Sequence, residues 1–319
     1  MTNQKIVVIG GTGSLGHCLM RRMYSDNEMS VYSRDELKQW EMKKHFPETR
    51  FIVGDVRDEV AVKRMLHSVK PDVVIIAAAL KHVDVCEENP QESMKTNIYG
   101  TENVLRAVEE LDVGATTLFV STDKACSPVN VYGMCKGLAE RLVSERASAS
   151  LNTKFLSVRY GNVINSRGSI IPLFMKQAID PTVPAFTVTK KGMTRFFMTL
   201  DESVDLIQHT IEHGKSGELW VPHLRSAMID DLADIFSKRY GKPVKYIGIR
   251  PGEKMHESLV NMAESMRTTL SGIYYVINPP GAKGSEEMFE FSSNDSLVSK
   301  AELEEFLIHN NVFDGVDEL

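Results

Sequence analysis

Lys5-Ile6-Val7-Val8-Ile9-Gly10-Gly11-Thr12-Gly13-Ser14-Leu15-Gly16 sets the architecture of this 319-residue chain. Ile6 to Ile9 is an unbroken β-branched run, the pattern of a strand buried on both faces. Glycines follow at once, and an amphipathic stretch near Ser14–Tyr24 opens behind them. Gly10 permits a tight turn, Gly13 a close approach of the backbone to a ligand, and Gly16 tight helix–sheet packing. The N–H groups and positive dipole end of the following helix point to the same place. Residues 10–16, with Thr12, Ser14 and Leu15 between the glycines, therefore suit a pyrophosphate. A tight turn without a ligand would need neither this spacing nor this position at the first strand–helix junction.

Outward from this loop, strand-like runs recur at Met29–Ser33, Arg50–Gly54, Asp72–Ala78, Thr117–Thr122 and Lys154–Tyr160. Helical patterns lie near Asp35–His45, Asp58–Val69, Gln91–Leu111 and Val131–Ala149. Strands as apolar as Val73-Val74-Ile75-Ile76, alternating with helices through right-handed crossovers, give an α/β fold with a doubly wound parallel sheet of Rossmann type. After about Asn165 the rhythm breaks at Pro172, Pro181 and Pro184, then resumes with a helix over Thr199–His213 and a strand over Glu218–Val221. The expected division is a dinucleotide-binding domain, 1–166 with 189–221, and a smaller C-terminal substrate lobe, 167–188 with 222–319. The lobe, with short helices, a Pro251-Gly252 turn and a loop at Pro279–Gly284, closes over the sheet's carboxyl edge.

Composition narrows the function. Apolar residues are 42% and charged residues 25%, enough for a sizeable core. A net charge of -6 gives no general attraction for phosphate polymers, so no nucleic-acid partner is expected. No apolar run approaches the roughly 18 residues of a membrane span, and the N-terminus runs straight into the first strand. Cys18, Cys86, Cys126 and Cys135 lack C-x-x-C spacing and read as reduced thiols of a cytoplasmic protein. His209 and His213 stand four apart without a third ligand, so they read as a solvent-facing pair and no metal is expected.

The second strand ends in Tyr32-Ser33-Arg34, about twenty residues past the glycine loop. An NAD site places a carboxylate there and an NADP site an arginine. Ser33 and Arg34 favour a 2′-phosphate and hence NADP, while Asp35 and Glu36 read as acids in a helix's first turn. After the third strand, Asp55 and Val56 either bound the adenine, or Asp55 caps a helix. Ala77, Ala78 and Ala79 close the fourth strand at the same edge and are assigned to the cofactor.

Strand five ends in Ser121-Thr122-Asp123-Lys124, and the next helix begins with Tyr132-Gly133-Met134-Cys135-Lys136. Tyr132 and Lys136 share a helix face. A lysine beside a phenol favours phenolate, which suits acid/base work at a hydroxyl being oxidised. Such pairs are commonplace on solvated helices. The position behind a dinucleotide loop and after a strand-end Ser121 gives this one its meaning.

Gly10–Gly16, Ser121 and Tyr132-x-x-x-Lys136 resemble the extended short-chain dehydrogenases/reductases. Finer strings are Tyr32-Ser33-Arg34-Asp35-Glu36-Leu37-Lys38, Ala78-Ala79-Leu80-Lys81-His82-Val83, Ser121-Thr122-Asp123-Lys124-Ala125, Arg159-Tyr160-Gly161-Asn162-Val163 and Arg250-Pro251-Gly252-Glu253-Lys254-Met255-His256-Glu257. Over about residues 5–310 they resemble a narrower group, the soluble UDP-N-acetylglucosamine 4,6-dehydratases that invert C5. Some members carry methionine where Tyr132 stands, and retaining relatives carry an acid where Lys124 stands; this chain has neither.

The resemblance implies NADP as cofactor and oxidation at C4, with Tyr132 taking the hydroxyl proton. Loss of water across C5–C6 and return of hydride to C6 follow. Asp123 would protonate the departing hydroxyl and Lys124 would remove the C5 proton. Adjacent groups of these types tend to form an ion pair unless desolvated, so a structural salt bridge remains the alternative. Expected substrate contacts are Lys81, His82, Asn162, Arg195, Arg250, Glu253 and Glu257; Lys81 meets the substrate or the nicotinamide ribose, or reads equally as a solvated loop lysine. Arg250 suits a diphosphate through its planar fork; Glu257 is assigned to the uridine ribose by likeness alone. Asn97 reads equally as a packing residue. A homo-oligomer, dimer or hexamer, is implied. The rivals are a nucleotide-sugar 4-epimerase, which needs no Asp123-Lys124 pair, and a catalytically idle NADP-binding regulator, which needs no intact Ser121, Tyr132 and Lys136.

Overall fold

The apolar run 6–9 lies in the interior of a nine-stranded sheet in the computed structural model, which describes residues 1–314 apart from 115, 151, 167 and 286. The first half alternates as β1 (Lys5–Ile9), α1 (Ser14–Met23), β2 (Glu28–Ser33), α2 (Glu36–Lys43), β3 (Arg50–Val53), α3 (Glu59–Val69) and β4 (Val73–Ile76). It continues through α4 (Val83–Glu88), α5 (Pro90–Ser93), a π-helical segment (Met94–Tyr99), α6 (Gly100–Leu111), β5 (Thr116–Val120), a short 3-10 turn (Asp123–Ala125), α7 (Val131–Ala149) and β6 (Lys154–Val158).

The remainder holds β7 (Asn162–Val163), α8 (Ile170–Ile179), β8 (Phe186–Val188), β9 (Thr194–Met198), α9 (Leu200–His213) and β10 (Leu219–Pro222). Then come β11 (Ser226–Met228), α10 (Ile229–Tyr240), β12 (Val244–Tyr246), β13 (Ser258–Val260), α11 (Met262–Ser265), β14 (Thr268–Ser271), β15 (Tyr274–Ile277), β16 (Phe291–Ser292) and α12 (Lys300–His309).

The sheet order is β14-β15-β10-β6-β5-β4-β1-β2-β3. From β10 to β3 every pairing is parallel, as in the doubly wound fold. Because side chains alternate along a strand, Val8, Val31 and Ile75 fill the core on one face while Val7, Ile9 and Val74 fill the other. A third core under the C-terminal part packs Phe174, Phe186 and Phe236, whose ring centroids lie 5.4–5.8 Å apart.

Three features differ from the expectation. Residues 268–277, placed in the lobe by sequence, form the β14–β15 hairpin and extend the main sheet antiparallel from β10, with Leu219 facing Ile277. The pattern over Gln91–Leu111 is not one helix but α5, the π segment and α6. And His209 is half-buried rather than fully solvent-facing: its ring stacks on Tyr274 at 4.7 Å and meets Trp220 at 5.2 Å, while His213 beside it is exposed. Of the expected lobe, Arg167, Glu286 and residues 315–319 lie outside the described residues.

Caps fix where the site-bearing helices start. Asp35 accepts from the Lys38 N–H at 3.0 Å, Asp58 from Ala61 at 2.9 Å and Asn130 from Gly133 at 2.7 Å. Each such cap is worth about 0.5–2 kcal/mol. The cap of α3 is therefore Asp58, and the capping alternative for Asp55 falls away. One buried ion triad ties the layers together. Arg159, fully buried after β6, donates to Glu140 of α7 at 3.0 and 2.6 Å and to Glu264 of α11 twice at 2.8 Å. It also donates to the Leu259 carbonyl at 2.8 Å.

Candidate active site

At the carboxyl ends of β1, β2, β4 and β5 opens a cleft of about 1040 Å³, where doubly wound sheets bind ligands. Every expected site residue borders it except Asp55 and Asp123, which stand just behind its wall. The glycine loop is built as its spacing demands. Gly10 has φ +85°, and a Cβ there would lie 2.5 Å from the Ala78 nitrogen, so the turn packs on the Ala77–Ala78 backbone with no room for a side chain. A Cβ at Gly16 would strike the Gly11 carbonyl. A Cβ at Gly13 would meet only the Gly10 oxygen, at 3.8 Å, and no side chain caps α1. The start of α1 is thus open to an anion, and these residues fit a dinucleotide pyrophosphate.

At the adenosine end, the Arg34 guanidinium stands 3.6 Å from Asp55. Arg57, which the sequence did not single out, holds Asp55 more closely at 2.6 Å. Burial would raise the Asp55 carboxyl, but the hydrogen bonds from Arg57 hold it below its ordinary value. Arg34 is therefore one of two guanidiniums on this carboxylate. Asp35 is occupied by Lys38 at 2.6 Å and leaves the site's charge to the arginines. Ser33 is buried, with its Oγ accepting from Gln39 at 2.9 Å.

The chemical cluster forms where β5 gives way to the 3-10 turn. A Cβ at Gly133 would strike the Lys124 carbonyl, so a glycine here lets α7 seat Tyr132 against the Asp123-Lys124 turn. Asn130, one residue before α7, also donates to the Gly252 carbonyl at 2.8 Å and so ties this helix start to the Pro251-Gly252 turn. Ser121 Oγ is buried without a hydrogen-bond partner among the described residues, an orphan at the cleft wall of the kind a ligand hydroxyl satisfies.

Burial pushes the Tyr132 phenol up to about 12; the Lys124 ammonium and a hydrogen bond with Thr122 oppose this. Lys136 contributes differently from the expectation. Its ammonium donates to the Val120 carbonyl and sits 3.9 Å over the Phe119 ring, and burial pulls it down to about 7. The cation that acts on the phenol is thus Lys124, because the end of β5 captures the Lys136 head group.

Asp123 is fully buried. Its Oδ1 accepts from Thr122 at 2.9 Å and from Lys124 at 3.0 Å, while Oδ2 has no partner among the described residues. Burial would lower Lys124, but Asp123 and Glu257 outweigh it and hold the group above its ordinary value. The pair is an ion pair in the free protein, as two such neighbours tend to be. Asn162 also reaches Lys124, at 3.5 Å.

The expected substrate contacts separate into four situations. His82 heads α4 and packs against Gly168; Lys81 precedes it on the same rim. Arg195 is held by the carbonyls of Thr194, Met255 and Lys254 at 2.7–3.2 Å, so its guanidinium is fixed rather than free to swing. Arg250 is exposed at the mouth, where its N–H donates to Glu253 at 3.0 Å. Glu257 departs from the expectation. It is buried beside Lys124 at 3.7 Å and Lys254 at 3.4 Å, next to the acid–base pair. Sequence reasoning missed Thr122, Lys254 and Tyr160, a buried phenol on the cleft wall. Tyr160 stands two residues before Asn162 and was within reach; Lys254 had no signal beyond its place in the Arg250–Glu257 string.

Asn97 proves to be more than packing. Its side chain accepts from the Leu80 N–H at 2.8 Å and donates to the Leu80 carbonyl at 2.9 Å. The π segment aims it there, fixing the loop that carries Lys81 and His82.

The chain is 37% identical to a UDP-N-acetylglucosamine 4,6-dehydratase (inverting) of Campylobacter jejuni, over 98% of this chain and 100% of that protein. It is 39% identical to a UDP-glucose 4-epimerase of Rickettsia canadensis, over 88% of this chain and 84% of that one. Among solved structures, Pen from Bacillus thuringiensis superposes with a TM-score of 0.91 at 32% identity, covering 98% and 99% of the two chains. Residues 6–279 match the family model described as polysaccharide biosynthesis protein. With that match spanning both the glycine loop and the Arg250–Glu257 string, the chain belongs to the polysaccharide biosynthesis protein family.

Proposed function

We propose that this chain is an NADP-dependent UDP-N-acetylglucosamine 4,6-dehydratase that inverts C5, a cytoplasmic hydro-lyase supplying a deoxy-amino-sugar precursor of a surface glycan. The observation that carries the reading is the Asp123–Lys124 pair, 3.0 Å apart, whose lysine lines the same cleft wall as Ser121 and Tyr132 while Asp123 stands directly behind it. The bound nicotinamide dinucleotide supplies a hydride acceptor at C4 and later a hydride donor to C6. Ser121 orients the C4 hydroxyl and Tyr132 takes its proton. The resulting 4-ketone acidifies C5–H.

Transfer of a proton from Lys124 to Asp123 along their hydrogen bond converts the ion pair into a neutral base and a neutral acid. Lys124 then takes the C5 proton, the C–H electrons form the C5–C6 double bond, and the C6–O bond breaks. Asp123 gives its proton to the leaving hydroxide, so one water is released. Hydride addition at C6 leaves an enolate, which takes a solvent-derived proton on the opposite face of C5 to give the inverted L-arabino 4-keto sugar, while Tyr132 returns the C4 hydroxyl proton to solvent. Arg250, Arg195 and Asn162 hold the UDP-sugar, and the C-terminal part outside the β14–β15 hairpin, with α8 and β8, acts as the substrate lobe. A homo-oligomer completes the proposal.

The 39% identity to an epimerase makes a nucleotide-sugar 4-epimerase the second reading. NMR of the purified protein with UDP-N-acetylglucosamine in heavy water separates them. The dehydratase gives a 6-deoxy-4-keto sugar with deuterium at C5 and inverted configuration there. A C4 epimer without C5 deuterium would overturn the proposal in favour of the second reading.

A further inference from the structure

Glu257 is 3% exposed, yet its carboxylate is not spent on the lobe's own fold. Its backbone N–H is anchored on Ser293 at 3.0 Å, which leaves the side chain directed at two ammonium groups. Oε1 lies 3.7 Å from Lys124 and Oε2 lies 3.4 Å from Lys254, and Oε2 accepts no hydrogen bond among the described residues. Lys254 is itself fixed by the Cys126 carbonyl at 2.8 Å. Lys124 is thereby faced by Asp123 from its own turn, Glu257 from the loop before β13, Arg195 from β9, Asn162 from β7 and Tyr132 from α7.

We infer that Glu257 is a positioning residue acting through Lys124: the loop before β13 supplies the second carboxylate that holds this lysine against Asp123 and sets the pH at which it can act as a base. The inference rests on the proposal that Lys124 moves the C5 proton. A carboxylate so placed favours the ammonium form. Lys254, by partly neutralising Glu257, weakens that hold. Opposite charges within about 4–6 Å shift such groups by about 1–3 pH units. Glu257 borders the cleft, and there its carboxylate is held between two lysines.

The test follows solvent deuterium entering C5 of UDP-N-acetylglucosamine across pH, with holoenzyme carrying Glu257→Gln or Lys254→Met. In Glu257→Gln the rise of exchange with pH should move down by about 1–3 units. In Lys254→Met it should move up. An unmoved midpoint in Glu257→Gln, with only weaker UDP binding, would assign Glu257 to the nucleotide and overturn the inference. If Glu257→Gln does not fold, the upward shift in Lys254→Met decides alone, and its absence is equally fatal. Lys124→Ala separates the two ideas. Exchange persisting at the unaltered rate removes Lys124 from the C5 step; exchange lost there, with the Glu257→Gln midpoint unmoved, sinks only the positioning role.

Discussion

Lys124 touches both half-reactions, because its ammonium pairs with Asp123 and also draws down the Tyr132 phenol. Lys124→Ala should stop deuterium entry at C5 by about 10²–10⁴-fold, the usual cost of losing a positioned base. It should also move the onset of C4 oxidation, read as reduced-nicotinamide absorbance in a single turnover, to higher pH, since burial alone pushes the phenol up. Oxidation with an unchanged pH profile would show that the two side chains are not coupled. At the other end of the cleft, Arg34 and Arg57 share Asp55. If both serve a 2′-phosphate, each single alanine variant should lose roughly ten- to a hundredfold in NADP affinity, since charge-assisted bonds are worth about 1.5–3 kcal/mol. The double variant should lose more, with NAD affinity little changed. Fluorescence titration measures this, and equal affinity of the unaltered protein for NAD and NADP would remove the assignment. Arg34 was legible because a strand end fixes its place about twenty residues past the glycines. Arg57 was not, and Glu257 was placed at the site but not beside Lys124, since their partners come from segments that only the folded chain brings together.

The elements that carry the site owe their legibility to local chemistry. Asp35, Asp58 and Asn130 each bond the N–H three residues on, and the alternation of strand and helix follows from apolar runs of four or five residues. Non-local pairing hid the rest. The β14–β15 hairpin is a sheet element only because β10 offers it an open edge, and nothing in Thr268–Ile277 names that partner. The π segment was hidden too, because nothing in Gln91–Leu111 signals the extra residue per turn that aims Asn97 at Leu80. Asn97→Ala removes an acceptor and a donor from a half-buried loop. A loss of about 1–3 kcal/mol in urea unfolding is expected, with looser binding of both cofactor and sugar. Unfolding at the unaltered midpoint would mean that the loop holds itself.

For the molecule as a whole, the Arg159 triad couples α7, which carries Tyr132, to α11. Burial would raise the Glu264 carboxyl, but the Arg159 charge and hydrogen bonds hold it down to about 2 against an ordinary 4.5. A depressed carboxyl contributes its full stability above the unfolded value and loses it as pH falls toward the folded one. This contribution should therefore fade between pH 4.5 and about 2. Glu264→Gln should flatten that acid limb in thermal melts, and at neutral pH it should cost about 3–5 kcal/mol by leaving Arg159 half-paired. An acid limb of unchanged steepness would put the sensitivity elsewhere. The triad also has a consequence in time. Arg159 and Glu264 are 105 residues apart, and a ribosome adds about 5–20 residues per second. For about 5–20 s a growing chain holds a completed β6 whose arginine has one of its two carboxylates. Its second carboxylate arrives only with the segment that also delivers Glu257 to Lys124, so the last steps of closing the first half and of completing the site belong to the same stretch of chain.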